Sequence, residues 1–162
     1  MKPSAITTLS GMILLISVPA SSLGHLPFAS ETNAPSAGNQ GKNDMKETHI
    51  KIKIGAKTFS ATLSDNPTAS AFKTLLPLTL EMSDLHGNEK FFHLPSPLPS
   101  NEANPGTIQT GDLMLWNSKS LVLFYKTFPT SYSYTKLGRI HNPEELSKAV
   151  GAENITVEFK LE

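Results

Sequence analysis

Between Asp112 and Lys126 the chain carries two apolar runs, Asp112-Leu-Met-Leu-Trp116 and Ser120-Leu-Val-Leu-Phe-Tyr125-Lys126, broken by the polar triplet Asn117-Ser-Lys119. Their length and the polar break predict two strands joined by a short turn. Side chains alternate across a strand, so Leu113 and Leu115 oppose Met114 and Trp116, while Leu121, Leu123 and Tyr125 oppose Val122 and Phe124. Neither strand has a polar face. A hairpin that is apolar on both sides must be covered on both sides, and the rest of the chain has to supply both covers.

The flanking segments supply strands and two short helices. Ile50, Ile52 and Ile54 alternate with lysines, and after Gly55-Ala56 the residues Phe59, Ala61 and Leu63 alternate with Thr58, Ser60 and Thr62. Asn66-Pro67 predicts a helix start, with Ala69, Phe72, Leu75 and Leu76 as its buried stripe and Pro77 as its end. A hairpin follows, from Leu78 to Leu94, turning at His86-Gly87-Asn88. Pro95, Pro97, Pro99 and Pro105 then mark a long loop that cannot be sheet interior. Beyond the apolar hairpin, an aromatic-rich loop, Thr127-Phe-Pro-Thr-Ser-Tyr-Ser-Tyr-Thr135, leads to a short strand, Lys136 to Ile140. Asn142-Pro143-Glu144-Glu145 predicts a second helix, with Asn142 as its cap and Gly151 as its stop. Ile155, Val157, Phe159 and Leu161 alternate in a last strand. About eight short strands without long crossover helices predict a mainly β fold, an antiparallel sheet closed into a barrel with two short helices at its ends.

The N-terminal third has a different composition. Residues 1–20 read as a signal peptide: Lys2, an apolar run from Ile6 to Val18, then Val18-Pro-Ala20 with small residues at the −3 and −1 positions. Residues 21–47, rich in Ser, Asn, Ala, Pro and Gly, read as a disordered linker. Residues 48–162 form the domain. This organisation predicts a secreted or periplasmic protein, with no membrane contact beyond an uncleaved N-terminal anchor as the alternative.

Charge and composition narrow the chemistry. The chain has 14 basic and 14 acidic residues and no cysteine. Zero net charge gives no electrostatic basis for nucleic-acid binding. The absence of cysteine excludes disulfides, thiolate metal sites and a cysteine nucleophile. Ser70-Ala-Phe-Lys73 fits S-x-x-K without its companion motifs, and no Gly-rich phosphate loop is present. None of the five histidines pairs with another at metal-ligand spacing on a helix, so no metal or cofactor is predicted. Glu81 and Glu89, on opposite arms of one hairpin, read as exposed strand-face acids.

The ordered set of elements resembles the cyclophilins, from Lys46 to Glu162. Phe91-Phe92-His93 sits where that family carries Phe-His-Arg, Leu121 to Lys126 is similar to its phenylalanine-rich strand, and Leu137-Gly-Arg-Ile140 is similar to its Phe-Gly-Lys-Val stretch. Gly111-Asp112-Leu-Met-Leu-Trp116 followed by Leu137-Gly-Arg-Ile140 more closely resembles the small bacterial cyclophilin-like domains, which are not established isomerases. The resemblance implies a cyclophilin-like barrel. It also implies that prolyl isomerisation, with its uncatalysed barrier of ~18–20 kcal/mol, would use an arginine, and the corresponding place here reads Phe92-His93-Leu94. The chain's one arginine, Arg139, falls on a strand where the family keeps a lysine, and reads as a surface residue.

No catalytic residue is therefore predicted. The candidate ligand-binding residues are Phe128, Tyr132 and Tyr134 on the aromatic loop, Trp116 at the end of the apolar hairpin and His93 on the neighbouring strand. A peptide segment or small molecule is the expected partner. One alternative has these rings merely capping the barrel mouth; another has Phe128-Pro129 as a cis bond fixing the loop. Two functional alternatives are a weak prolyl isomerase using His93 and an adaptor for a redox partner of the flavodoxin-like kind, the latter implied by the resemblance alone.

Overall fold

The computed structural model describes residues 47–162, and the expected signal peptide and nearly all of the linker lie outside them. The strands are β1 (Thr48–Ile54), β2 (Lys57–Leu63), β3 (Leu78–Leu85), β4 (Glu89–His93), β5 (Thr107–Ile108), β6 (Asp112–Trp116), β7 (Ser120–Phe124), β8 (Phe128–Pro129), β9 (Thr135–Ile140) and β10 (Ile155–Leu161). Eight of them close into an antiparallel barrel in the order β1-β10-β3-β4-β7-β6-β9-β2, and β5 and β8 pair separately as a two-stranded ribbon. Closure leaves the barrel no unpaired edge.

The two-sided hairpin explains both layers. Leu113, Leu115, Leu121, Leu123 and Tyr125 point into the barrel, among Ile50, Ile52, Met82 and Phe159. Met114, Val122 and Phe124 point outward, where they form a second, smaller core with Ile108 and the half-buried Phe91, Phe128 and Tyr134. The outer cover is thus the β5–β8 ribbon and the loops around it. Asn117 and Ser118 turn the hairpin with φ of 48° and 55°, so a polar pair occupies the left-handed region there.

At the β2–β9 seam, Gly138 lets the strands approach closely: a Cβ there would stand 2.5 Å from the Thr62 carbonyl oxygen. Its role is spatial, since any side chain would force the seam apart.

Helix α1 (Pro67–Lys73) starts as the sequence predicts, with Asn66 Oδ1 accepting the Ala69 N–H at 2.8 Å. It ends earlier than predicted. Ala69 and Phe72 are buried, but Leu75 lies beyond the last turn and is exposed, and Leu76 is half-buried. The cis bond falls at Leu76-Pro77, and Phe128-Pro129 forms strand β8. The second helix also begins differently. Asn142 has φ of 50° and makes no side-chain cap; Pro143–Glu145 is a 3-10 turn, and α2 spans only Leu146–Val150. With Asn142 in the left-handed region its side chain cannot reach back to the helix N–H groups from the extended backbone that capping requires.

Candidate functional site

The outward face of β4, β7 and β6 forms the floor of a cleft. Strand alternation brings Glu89, Phe91 and His93 from β4 to this face, Ser120 and Val122 from β7, and Trp116 from β6. The register sets their neighbours: Glu89 lies opposite Phe124, Phe91 opposite Val122, and His93 opposite Ser120.

The wall is the aromatic segment, tied down at both ends. Phe128 and Pro129 pair with Ile108 and Thr107, and Thr130 donates its N–H to the Gly106 carbonyl at 3.0 Å. Tyr134 exchanges two backbone hydrogen bonds with Ala103, each 3.0 Å. The proline-rich loop therefore serves as the segment's anchor. Phe124 meets Tyr134 edge-on at 5.4 Å and Phe128 at 5.8 Å between ring centroids, distances at which aromatic pairs attract.

All five residues singled out from the sequence line this one cleft, whose volume is about 550 Å³. They divide into two kinds. Phe128 and Tyr134 are half-buried and belong to the outer core, while Trp116 is 40% and Tyr132 64% exposed. His93 is exposed; its Nδ1 lies 2.8 Å from Ser120 Oγ, and its ring is 5.3 Å from Phe91. The rings stand on the outside of the sheet and do not cap a barrel mouth. A cavity of this size is within the usual range for small-ligand sites.

The sequence reading of Glu81 as an exposed strand-face acid holds, but that of Glu89 does not. Glu81 and Glu89 do not face each other: β3 and β4 pair Leu85 with Glu89, Asp84 with Lys90 and Ser83 with Phe91. Glu81 is exposed, but Glu89 is buried beneath the cleft. Burial beside the outer core, and then the negative charge of Asp84, push the Glu89 carboxyl up to about 7. Burial, reinforced by Glu89, raises Tyr134 as well.

On the inward face of the same hairpin, Lys90 is fully buried. Its Nζ donates to Asp84 Oδ1 at 2.9 Å and to the Glu153 carbonyl at 2.7 Å, and lies 5.6 Å from the Tyr125 ring centroid. The Tyr125 hydroxyl donates to Asp84 Oδ1, and the Gly87 N–H to Oδ2. These donors, Tyr125 first and Lys90 next, hold the Asp84 carboxyl below the usual carboxylate range. The one sequence signal for Glu89 was its place in the alternation of β4 beside an apolar β7 face, and that signal acquires meaning only with the register.

Arg139 is elsewhere. Its Nη1 stands 3.7 Å from the buried Asp112 Oδ1, and its side chain lines a separate cleft with Asn101 and Lys136. Ser70 and Lys73 are both exposed on α1. Among the described residues no three of His, Cys, Asp and Glu gather as a metal-ligand set.

A family model described as the Cyclophilin-like family matches residues 52–160. The chain belongs to that family. Two solved structures are similar to it. The hypothetical protein AF2241 from Archaeoglobus fulgidus, known from a solution structure, is 20% identical over 70% of this chain and 94% of its own, with a TM-score of 0.49. McbB, solved in complex with tryptophan, is 16% identical over 68% of this chain and 44% of its own, with a TM-score of 0.52. The McbB likeness concerns the barrel fold. No curated protein matches the chain.

Proposed function

We propose that this protein is a secreted or periplasmic cyclophilin-like domain that binds a peptide segment or small molecule without catalysis, in the cleft lined by His93, Trp116, Phe128, Tyr132 and Tyr134. The observation that carries this reading is their convergence on one cleft of about 550 Å³, with two large rings, Trp116 and Tyr132, left open to solvent above a packed floor. Rings on a loop that is pinned at both ends present contact area at little entropic cost. The secreted location is supported by the composition of residues 1–20. The absence of a guanidinium argues against prolyl isomerisation: Arg139 pairs with Asp112 and does not line this cleft.

The test is amide NMR of the folded domain, titrated with a proline-containing peptide and with small aromatic molecules. Tryptophan belongs among them, since McbB was solved with it. Shifts are expected around Phe91, His93, Trp116 and Tyr132, and are expected to vanish in Trp116→Ala/Tyr132→Ala. Shifts that cluster around Arg139, or binding that survives this double substitution, would overturn the assignment.

One observation favours a second reading. His93 lies in the cleft with its Nδ1 held by Ser120, which fixes its ring while its Nε2 has no partner among the described residues. A weak prolyl isomerase would use that nitrogen as a hydrogen-bond donor. A protease-coupled proline-peptide assay separates the two readings: a substantial rate, lost on His93→Ala, would replace binding with catalysis.

A further inference from the structure

The cleft's lining has a chemical sign. Phe91, Trp116, Phe128, Tyr132 and Tyr134 face it with their rings, the imidazoles of His86 and His93 stand on the same lining, and no lysine or arginine does. Its one acidic side chain, Glu89, is only 9% exposed and has no hydrogen-bond or ion-pair partner among the described residues.

Ring faces and a carboxylate both attract positive charge. An anion would meet repulsion here. A neutral apolar guest would cover Glu89 and strip its remaining water without replacing it. The adjacent lysine cannot serve as the counter-ion, because Lys90 points to the other face and is held by Asp84 and the Glu153 carbonyl. The desolvated carboxyl, pushed up to about 7, is consistent with an acid that lacks its cation.

We propose that the ligand is a small organic amine bound as its ammonium, with the charged head on the Glu89 carboxylate and the hydrocarbon body among Trp116, Phe128, Tyr132 and Tyr134. This rests on the reading of the cleft as a ligand site and narrows it to one chemical class. The ammonium supplies the donors that Glu89 lacks, and the rings supply π faces and apolar contact. A volume of about 550 Å³ suits a free small molecule.

Trp116 is the chain's one tryptophan, so its fluorescence reports on the cleft directly. The probes are phenethylamine, 2-phenylethanol and phenylacetate, which share a ring and differ in the charge of the head group, together with an acetylated Gly-Lys-Gly amide. Phenethylamine is expected to shift Trp116 emission saturably and to bind about tenfold more tightly than 2-phenylethanol, with phenylacetate weakest. Glu89→Gln is expected to remove most of that preference while 2-phenylethanol still binds. Equal binding of the amine and the alcohol to the unaltered protein would sink the ammonium assignment and leave the cleft reading standing. Tighter binding of the lysine peptide would transfer the site to a peptide side chain and overturn the small-molecule assignment. No response to any probe at millimolar concentration would remove both.

Discussion

Asp84 and Glu89 are five residues apart on one hairpin, yet they face opposite sides of the sheet and are treated in opposite ways. Asp84 faces the barrel interior, where Tyr125, Lys90 and the Gly87 N–H all donate to it. Its carboxyl is held low, and it is the ion-pair partner of the buried lysine beside it. Glu89 faces the outer cleft, beside Phe124 and Tyr134, with no partner among the described residues, and its carboxyl is held high. Both sit near the same turn. What differs is burial, which is deeper at Glu89, and hydrogen bonding, which only Asp84 receives. A buried polar group that is fully paired stabilises a fold, whereas one left unpaired costs stability and persists where something else uses it. The interior pair belongs to the architecture; the unpaired acid belongs to the cleft.

The comparison is broken most severely from the interior side. Asp84→Ala is expected to cost about 3 kcal/mol or more in chemical denaturation, because it leaves Lys90 charged and buried and deprives Tyr125 of its acceptor. A loss below about 1 kcal/mol would mean that this pair behaves as a surface ion pair.

Glu89 predicts a smaller effect of opposite sign. Its folded value, about 7, lies above its ordinary value of 4.5, so the native state binds more protons than the unfolded chain between those pH values. The stability that the protonated carboxyl contributes is complete below pH 4.5 and is lost as pH rises through about 7. Asp84 runs the other way: its contribution is present above its ordinary value of 3.8 and disappears in stronger acid. Glu89→Gln is therefore expected to stabilise the protein at pH 8 by about 1–2 kcal/mol and to flatten the decline between pH 4.5 and 7. A destabilised variant at pH 8 would show that the carboxylate has a partner in the folded protein.

The smallest expected effect is on the cleft's rim. Tyr132→Ala should change stability by no more than about 0.5 kcal/mol, since the ring is mostly exposed, while abolishing the ligand-induced shifts. A larger loss of stability would assign Tyr132 to the outer core with Phe128 and Tyr134.

Much of the candidate site was legible in the sequence because aromatic residues announce themselves. Phe128, Tyr132 and Tyr134 share one short segment, and the apolar hairpin marks Trp116 at its turn; that His93 joins them follows only from β4 pairing with β7, which lies between it and β6. Glu89 was not legible, because a glutamate in an alternating strand is most often a solvated face. The alternation shows that Glu89, Phe91 and His93 share a side; it does not show that the first of them lies opposite Phe124, in the outer core that Tyr134 completes.

The local pattern alone determined the two-sided hairpin, the alternating strands around it and the Asn66-Pro67 helix start, because each rests on residues within a few positions of one another. Tertiary structure decided the rest. Pairing Leu85 with Glu89 buried the acid and sent Lys90 inward, and a left-handed Asn142 cancelled a helix cap that its neighbours in sequence had promised. The physical reason is one of range. Side-chain direction is a property of the single strand, while burial and partnership depend on which strand lies opposite, in what register, and on what the loops fold over them.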